Sequence, residues 1–123
     1  MDYLSPPTFH SGTKRLEGKL WGIAGYFYQP GVLDSMPFGG YFFLDSFLGQ
    51  EIIFGRLIDG LGTSTIVEGD ISIENYLSFD KKYDQSNPIL IHYDFEKKDD
   101  IWVGSYKMKT LQGRANCVIQ PLT

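Results

Sequence analysis

From Arg15 onward the chain alternates apolar and polar residues with a period of two, and Gly, Pro, Asn and Asp punctuate it at short intervals. That period belongs to a strand, in which successive side chains point to opposite faces. The pattern predicts eight strands: 15–28, as one long strand or two sharing a bend, then 38–47, 51–58, 63–73, 76–83, 89–95, 101–108 and 114–119. Within them Ile53, Gly55 and Leu57 share one face, as do Leu77, Phe79, Lys81 and Tyr83. The same holds for Ile91, Tyr93 and Phe95, for Trp102, Gly104 and Tyr106, and for Ala115, Cys117 and Ile119. In the fourth strand the parity groups Thr65, Val67, Gly69, Ile71 and Ile73. Around Trp21, Ile23, Tyr26 and Tyr28 the phase breaks, with Gly18, Gly22 and Gly25 as sites for a kink or bulge. Val32 to Pro37 is the least regular connection, and its Val-Leu-Asp-Ser-Met suits a single helical turn. No window keeps the i, i+3, i+4, i+7 spacing of an amphipathic helix.

Every connection is short enough for a hairpin, and parallel crossovers need about a dozen residues or more. The fold class that follows is all-β: a single-domain, eight-stranded, antiparallel up-and-down barrel over residues 13–123. Closure removes the open edges that a flat sheet must protect. Eight strands enclose an interior that side chains just fill, or that holds one small ligand. Residues 1–12 read as an extended arm, because Ser5-Pro6-Pro7 disfavours helix and sheet alike.

The succession Gly55-x-x-x-Asp59-x-x-Gly62, Gly69-x-Ile71, Phe79-x-Lys81-x-Tyr83, Tyr93, Gly104-x-Tyr106 and Gly113-x-Ala115 resembles the small calycin-type barrels. These include lipocalins, fatty-acid-binding proteins and avidins, and the nearest likeness is to lipocalin-like domains in which each hairpin carries a glycine and an aromatic. The resemblance spans about Leu16 to Ile119 and implies the barrel. It transfers no named ligand. Gly18-Lys19-Leu20-Trp21 is one residue longer than the Gly-x-Trp common on a first lipocalin strand, and there is no room between Tyr28 and Phe38 for a helix pair.

Composition narrows the function classes. Of 123 residues 15% are aromatic, which suits strands that pack bulky rings on a pleated surface. Net charge is −4, and Lys14-Arg15 and Lys97-Lys98 are short pairs, so no basic footprint for nucleic acid is present. A single cysteine, Cys117, excludes an intramolecular disulfide and reads as a small buried packing residue. No stretch has 18 consecutive apolar residues, and the first residues lack a basic region followed by an apolar run. The expectation is a cytoplasmic protein with no membrane contact.

Candidate chemistry is sparse. Asp59-Gly60-Leu61-Gly62 precedes strand composition, whereas a phosphate-binding glycine loop opens a helix. It reads as a hairpin turn in which Asp59 bonds its own backbone. His10, His92 and Cys117 have no metal-ligand spacing, so no metal and no cofactor is expected, and His92 falls on the solvent face. Lys81 and Tyr83 share parity with inward Leu77 and Phe79. An inward lysine needs a carboxylate or a route to water, and Lys81 could either snorkel out at the strand end or mark a polar end of a cavity. The candidate ligand-binding set is Phe42, Lys81, Tyr83, Tyr93, Trp102 and Tyr106, with no catalytic residue assigned. Phe38 to Phe47 is apolar on both faces, which asks for cover on the outside and points to a homodimer through this region. Three functions are open: a non-enzymatic barrel binding a small apolar ligand, a protein-interaction module using the outer aromatic strand and the arm, and a small enzyme with a barrel-mouth lysine or carboxylate.

Overall fold

A computed structural model of the chain describes residues 19–31, 34–85 and 89–122, and of Phe47 only the backbone. Residues 1–12, read as an arm, lie outside the described residues, as do the strand start at 15–18 and Val32-Leu33.

Eight strands follow one another: β1 (Leu20–Tyr28), β2 (Ser35–Phe47), β3 (Gln50–Asp59), β4 (Gly62–Ser72), β5 (Tyr76–Tyr83), β6 (Leu90–Lys98), β7 (Ile101–Met108) and β8 (Leu111–Pro121). Each pairs antiparallel with the next, and β8 returns to β1 to close the barrel. Gly25 stands at the closure, opposite Cys117 on β8 and Phe38 on β2. No helix lies among the described residues, and hence none long and apolar enough to cross a membrane.

The alternation puts one parity of each strand inside. Ile23 and Phe27, Phe38, Phe42 and Leu44, Ile53 and Leu57, Leu77 and Phe79, Ile91, Tyr93 and Phe95, and Trp102 and Tyr106 form the core with Ala115 and Cys117. Rings fill much of it: Tyr93 stacks on Phe79 with centroids 5.0 Å apart, and Phe27 meets Tyr106 edge-on at 5.6 Å. Such contacts add roughly 0.5–1.5 kcal/mol each beyond area burial.

Three sequence expectations need correcting. Ser35 to Pro37 form no helical turn; they begin β2 and pair with Pro37 opposite Tyr26. In β1 no bulge is needed, because Trp21 packs on the core in phase with Ile23 and Phe27 and stacks on Phe42. In β4 the inward residues are Ser64 and Ile66, not Thr65 and Val67. Ile66 stands opposite Lys81 but Glu68 opposite Asp80, so Val67 is an extra residue that shifts the phase. Beyond that bulge Ile71 is inward, as expected.

Candidate functional site: an ionic centre inside the barrel

β5 carries its inward row from Leu77 through Phe79 to Lys81 and Tyr83, and the Lys81 side chain has no solvent exposure. Its carboxylate comes from the far end of β3, where Asp59 continues the inward parity of Ile53, Gly55 and Leu57. Lys81 Nζ donates to Asp59 Oδ2 at 2.9 Å, and Tyr83 Oη donates to the same oxygen at 2.6 Å. The other oxygen accepts the Leu61 N–H at 2.7 Å, so Asp59 also shapes the turn as its Asp-Gly sequence implied. The ammonium nitrogen stands 4.7 Å from the centroid of the Tyr83 ring, 5.2 Å from that of Tyr93 and 5.4 Å from that of Phe27. Faces of aromatic rings attract a cation, and more strongly where water is excluded.

Burial governs the titration of this centre. It pushes the Lys81 amine below the ordinary lysine range, against the pull of the Asp59 hydrogen bond and charge. Burial raises the Tyr83 phenol, and the bond to Asp59 raises it further. A buried ion pair costs several kcal/mol per ion in lost hydration, which only close geometry and further hydrogen bonds offset. Hydrogen bonding is incomplete here. Lys81 makes one hydrogen bond among the described residues, although an ammonium carries three donors. Ser64, opposite Tyr83 in the ladder, has a buried hydroxyl with no hydrogen-bond partner among them.

Of the six sequence-selected residues, Lys81, Tyr83 and Tyr93 meet at this centre. Tyr106 adjoins it, 5.7 Å from Tyr93, and donates its hydroxyl to the Tyr28 carbonyl at 3.0 Å. Phe42 and Trp102 are also buried, but Phe42 stacks on Trp21, and Trp102 stands opposite Cys117 and Lys97, whose ammonium lies 6.0 Å from its ring. Asp59 and Ser64 were not among the six. The parity of β3, extended two residues past Leu57, would have found Asp59; Ser64 was hidden by the bulge.

Compared with protein-family models, with curated proteins and with solved structures, the chain finds no match in any of the three. Its chemistry therefore has to be read from its own surfaces.

Three of the concavities lined by described residues lie on the outside or at an end of the barrel, away from Lys81 and Asp59. One of about 610 Å³ lies between Asp70, Tyr76, Asp94 and Val103 on β4–β7. One of about 370 Å³ lies over Ala24, Tyr26, Phe38, Ile101 and Val118. The third, of about 460 Å³, is at the barrel end by Gln50, Glu51 and Glu74. Among the described residues no group of three His, Cys, Asp or Glu side chains is placed to hold a metal.

The outer surface is divided by charge. On β5 and β6, His92 bridges Asp80 at 2.5 Å and Asp94 at 2.9 Å, and Ser78 donates to Asp94 at 2.8 Å. Lys82, Glu96 and Lys107 share this side. On β8–β1–β2–β3 the ladder instead lines up Val118, Ala24, Gly39 and Ile58 in one row, with Asn116, Tyr26 and Pro37 on one side of it. Gln120, Gly22, Tyr41 and Arg56 form the row on the other side. Arg56 is the single charge in these rows, and Asp84 ties it down at 2.5 Å.

Proposed function

We propose that the protein is a non-enzymatic binding module that acts through the apolar rows around Ala24 and Tyr26 on the outer face of β8–β1–β2–β3. The observation that carries this reading is the contrast between the two faces of the barrel wall. Inside, Tyr93, Trp102 and Tyr106 are buried, at 2%, 3% and 5% exposure. Outside, Tyr26, Tyr41, Val118 and Ile58 present apolar surface at 40–58% exposure, bordered by Arg56 and Arg114. Contiguous apolar surface of this kind marks interaction sites. A photo-crosslinking amino acid at position 41, in cells that make the protein, should trap a discrete protein adduct, and the same group at position 107 should not. Equal or absent trapping at the two positions would remove the reading.

A second reading has its own support: a small molecule held inside the barrel, in the manner of the lipocalin-like group that the glycine-aromatic hairpins resemble. Lys81 donors and a Ser64 hydroxyl that find no partner among the described residues favour it. The bound group would be a neutral hydrogen-bond acceptor rather than an acid, because Asp59 already supplies the negative charge. Native mass spectrometry should then find a co-purified mass that is lost in Lys81→Met. A cytoplasmic setting and a barrel-mouth enzyme have no comparable observation behind them.

A further inference from the structure

We infer that the ionic centre holds a sealed hydration site: one water molecule that bridges the Lys81 ammonium to the Ser64 hydroxyl. This leaves the outer-face reading untouched and competes with the interior-ligand reading for the same donors. Register brings the two groups together. Leu57, Ser64 and Tyr83 stand side by side across β3, β4 and β5, and Ile66, Lys81 and Ile91 make the neighbouring row. Asp59 lies on the other side of the Ser64 row, two residues beyond Leu57. To reach Asp59 Oδ2 at 2.9 Å, the Lys81 side chain therefore crosses the row that contains Ser64. Lys81 and Ser64 are both 0% exposed.

The chemistry of these two groups calls for a third. An ammonium carries three donors, and among the described residues Lys81 uses one of them, on Asp59. The Ser64 hydroxyl can donate and accept, and it has no partner among them. A buried polar group left unpaired bears its full desolvation cost. Asp59 already balances the charge of Lys81, so the bridging group is neutral. It has to accept from an ammonium and pair with a hydroxyl. Water does both, and buried waters characteristically join polar groups of this kind. Size selects it as well. The rings beside the ammonium lie close on one another: Tyr93 stands 5.0 Å from Phe79, 5.7 Å from Tyr106 and 6.0 Å from Phe38. Such packing suits an occupant of one heavy atom rather than a carbon skeleton. Ser64 is the smallest side chain of its row, where a larger residue would take that atom's place. The water returns to Lys81 part of the hydration that burial removed.

A high-resolution crystal structure of the full chain tests this. The expected result is one isolated peak within hydrogen-bond distance of both Lys81 Nζ and Ser64 Oγ. In solution, magnetic relaxation dispersion of isotopically labelled water should count one more long-lived internal water in the unaltered chain than in Ser64→Val, which removes the hydroxyl and fills the space. His92→Gln, on the outer wall, should keep that water. No peak between the two groups, or a peak bonded to only one of them, overturns the inference, as does an equal water count in Ser64→Val. Density longer than one atom, with a matching co-purified mass in native mass spectrometry, also overturns it and supports the interior ligand instead. The crystal structure of the unaltered chain decides the matter even if Ser64→Val does not fold.

Discussion

At the scale of single residues, Lys81 is where the fold departs most from what stability alone would select. A leucine or methionine would fill the same space without losing the hydration of a cation. Removing only the lysine is nonetheless costly, because Asp59 is left buried and charged. Lys81→Met should lower stability by about 3–5 kcal/mol, read from urea unfolding. Adding Asp59→Asn should restore part of that loss, since asparagine removes the buried charge while its one carbonyl oxygen still accepts the Leu61 N–H and its amide can donate to the Tyr83 hydroxyl. If the double variant is weaker than Lys81→Met, the ion pair is not the source of the loss. How far this centre was legible depends on the residue. The parity of β5 marked Lys81 and Tyr83 as inward and posed the question of a carboxylate. Which of many turn carboxylates would answer was a matter of register between β3 and β5, strands not adjacent in the barrel. A period-2 pattern marks Asp59 as inward on β3 but does not say that it meets Lys81.

At the scale of elements, β4 shows how one residue sets the limits of such a pattern. Strict alternation assigned Thr65 and Val67 to the wrong face, since it assumes one residue opposite one residue throughout. The bulge suspends that rule at Val67. A chain lacking Val67 should therefore still fold, with Ser64, Ile66, Gly69 and Ile71 in unbroken alternation and a reduced unfolding midpoint. Deleting Val103 from the regular strand β7 should turn Trp102 and Tyr106 to opposite faces and abolish the cooperative transition seen by circular dichroism. Across β5 and β6, the His92 bridge makes a pH-dependent contribution. Desolvation opposes protonation of His92, but the bonds and charges of Asp80 and Asp94 outweigh it and raise its pKa. A raised folded-state pKa means that the stabilisation is complete below the unfolded value of about 6.5 and disappears as pH rises through the folded value. With His92 about half exposed, the contribution is under about 1 kcal/mol. Melting curves from pH 5.5 to 8.5 should show the step, and His92→Gln should remove it.

At the scale of the whole molecule, closure is the dominant constraint. The pairing of β1 with β8 joins Trp21 to Pro121, almost the full described length of the chain. Folds dominated by such non-local pairings form in roughly milliseconds to seconds. Stopped-flow fluorescence from Trp21 and Trp102, in β1 and β7, should follow refolding on that scale. A microsecond phase carrying the whole amplitude would be inconsistent with it. The barrel was legible in the sequence because strand count, hairpin-length connections and parity all pointed the same way. The run of apolar outward residues across β8, β1, β2 and β3 was not, since it appears only when β8 is laid beside β1. Asp59 ties these levels together. One of its oxygens holds an amide in an exposed turn and the other holds the centre of the barrel. The Leu61 amide is therefore a surface-mounted gauge of the interior. Any event that redistributes charge around Lys81 should move its resonance, so the state of a sealed core can be followed from a nucleus in contact with water.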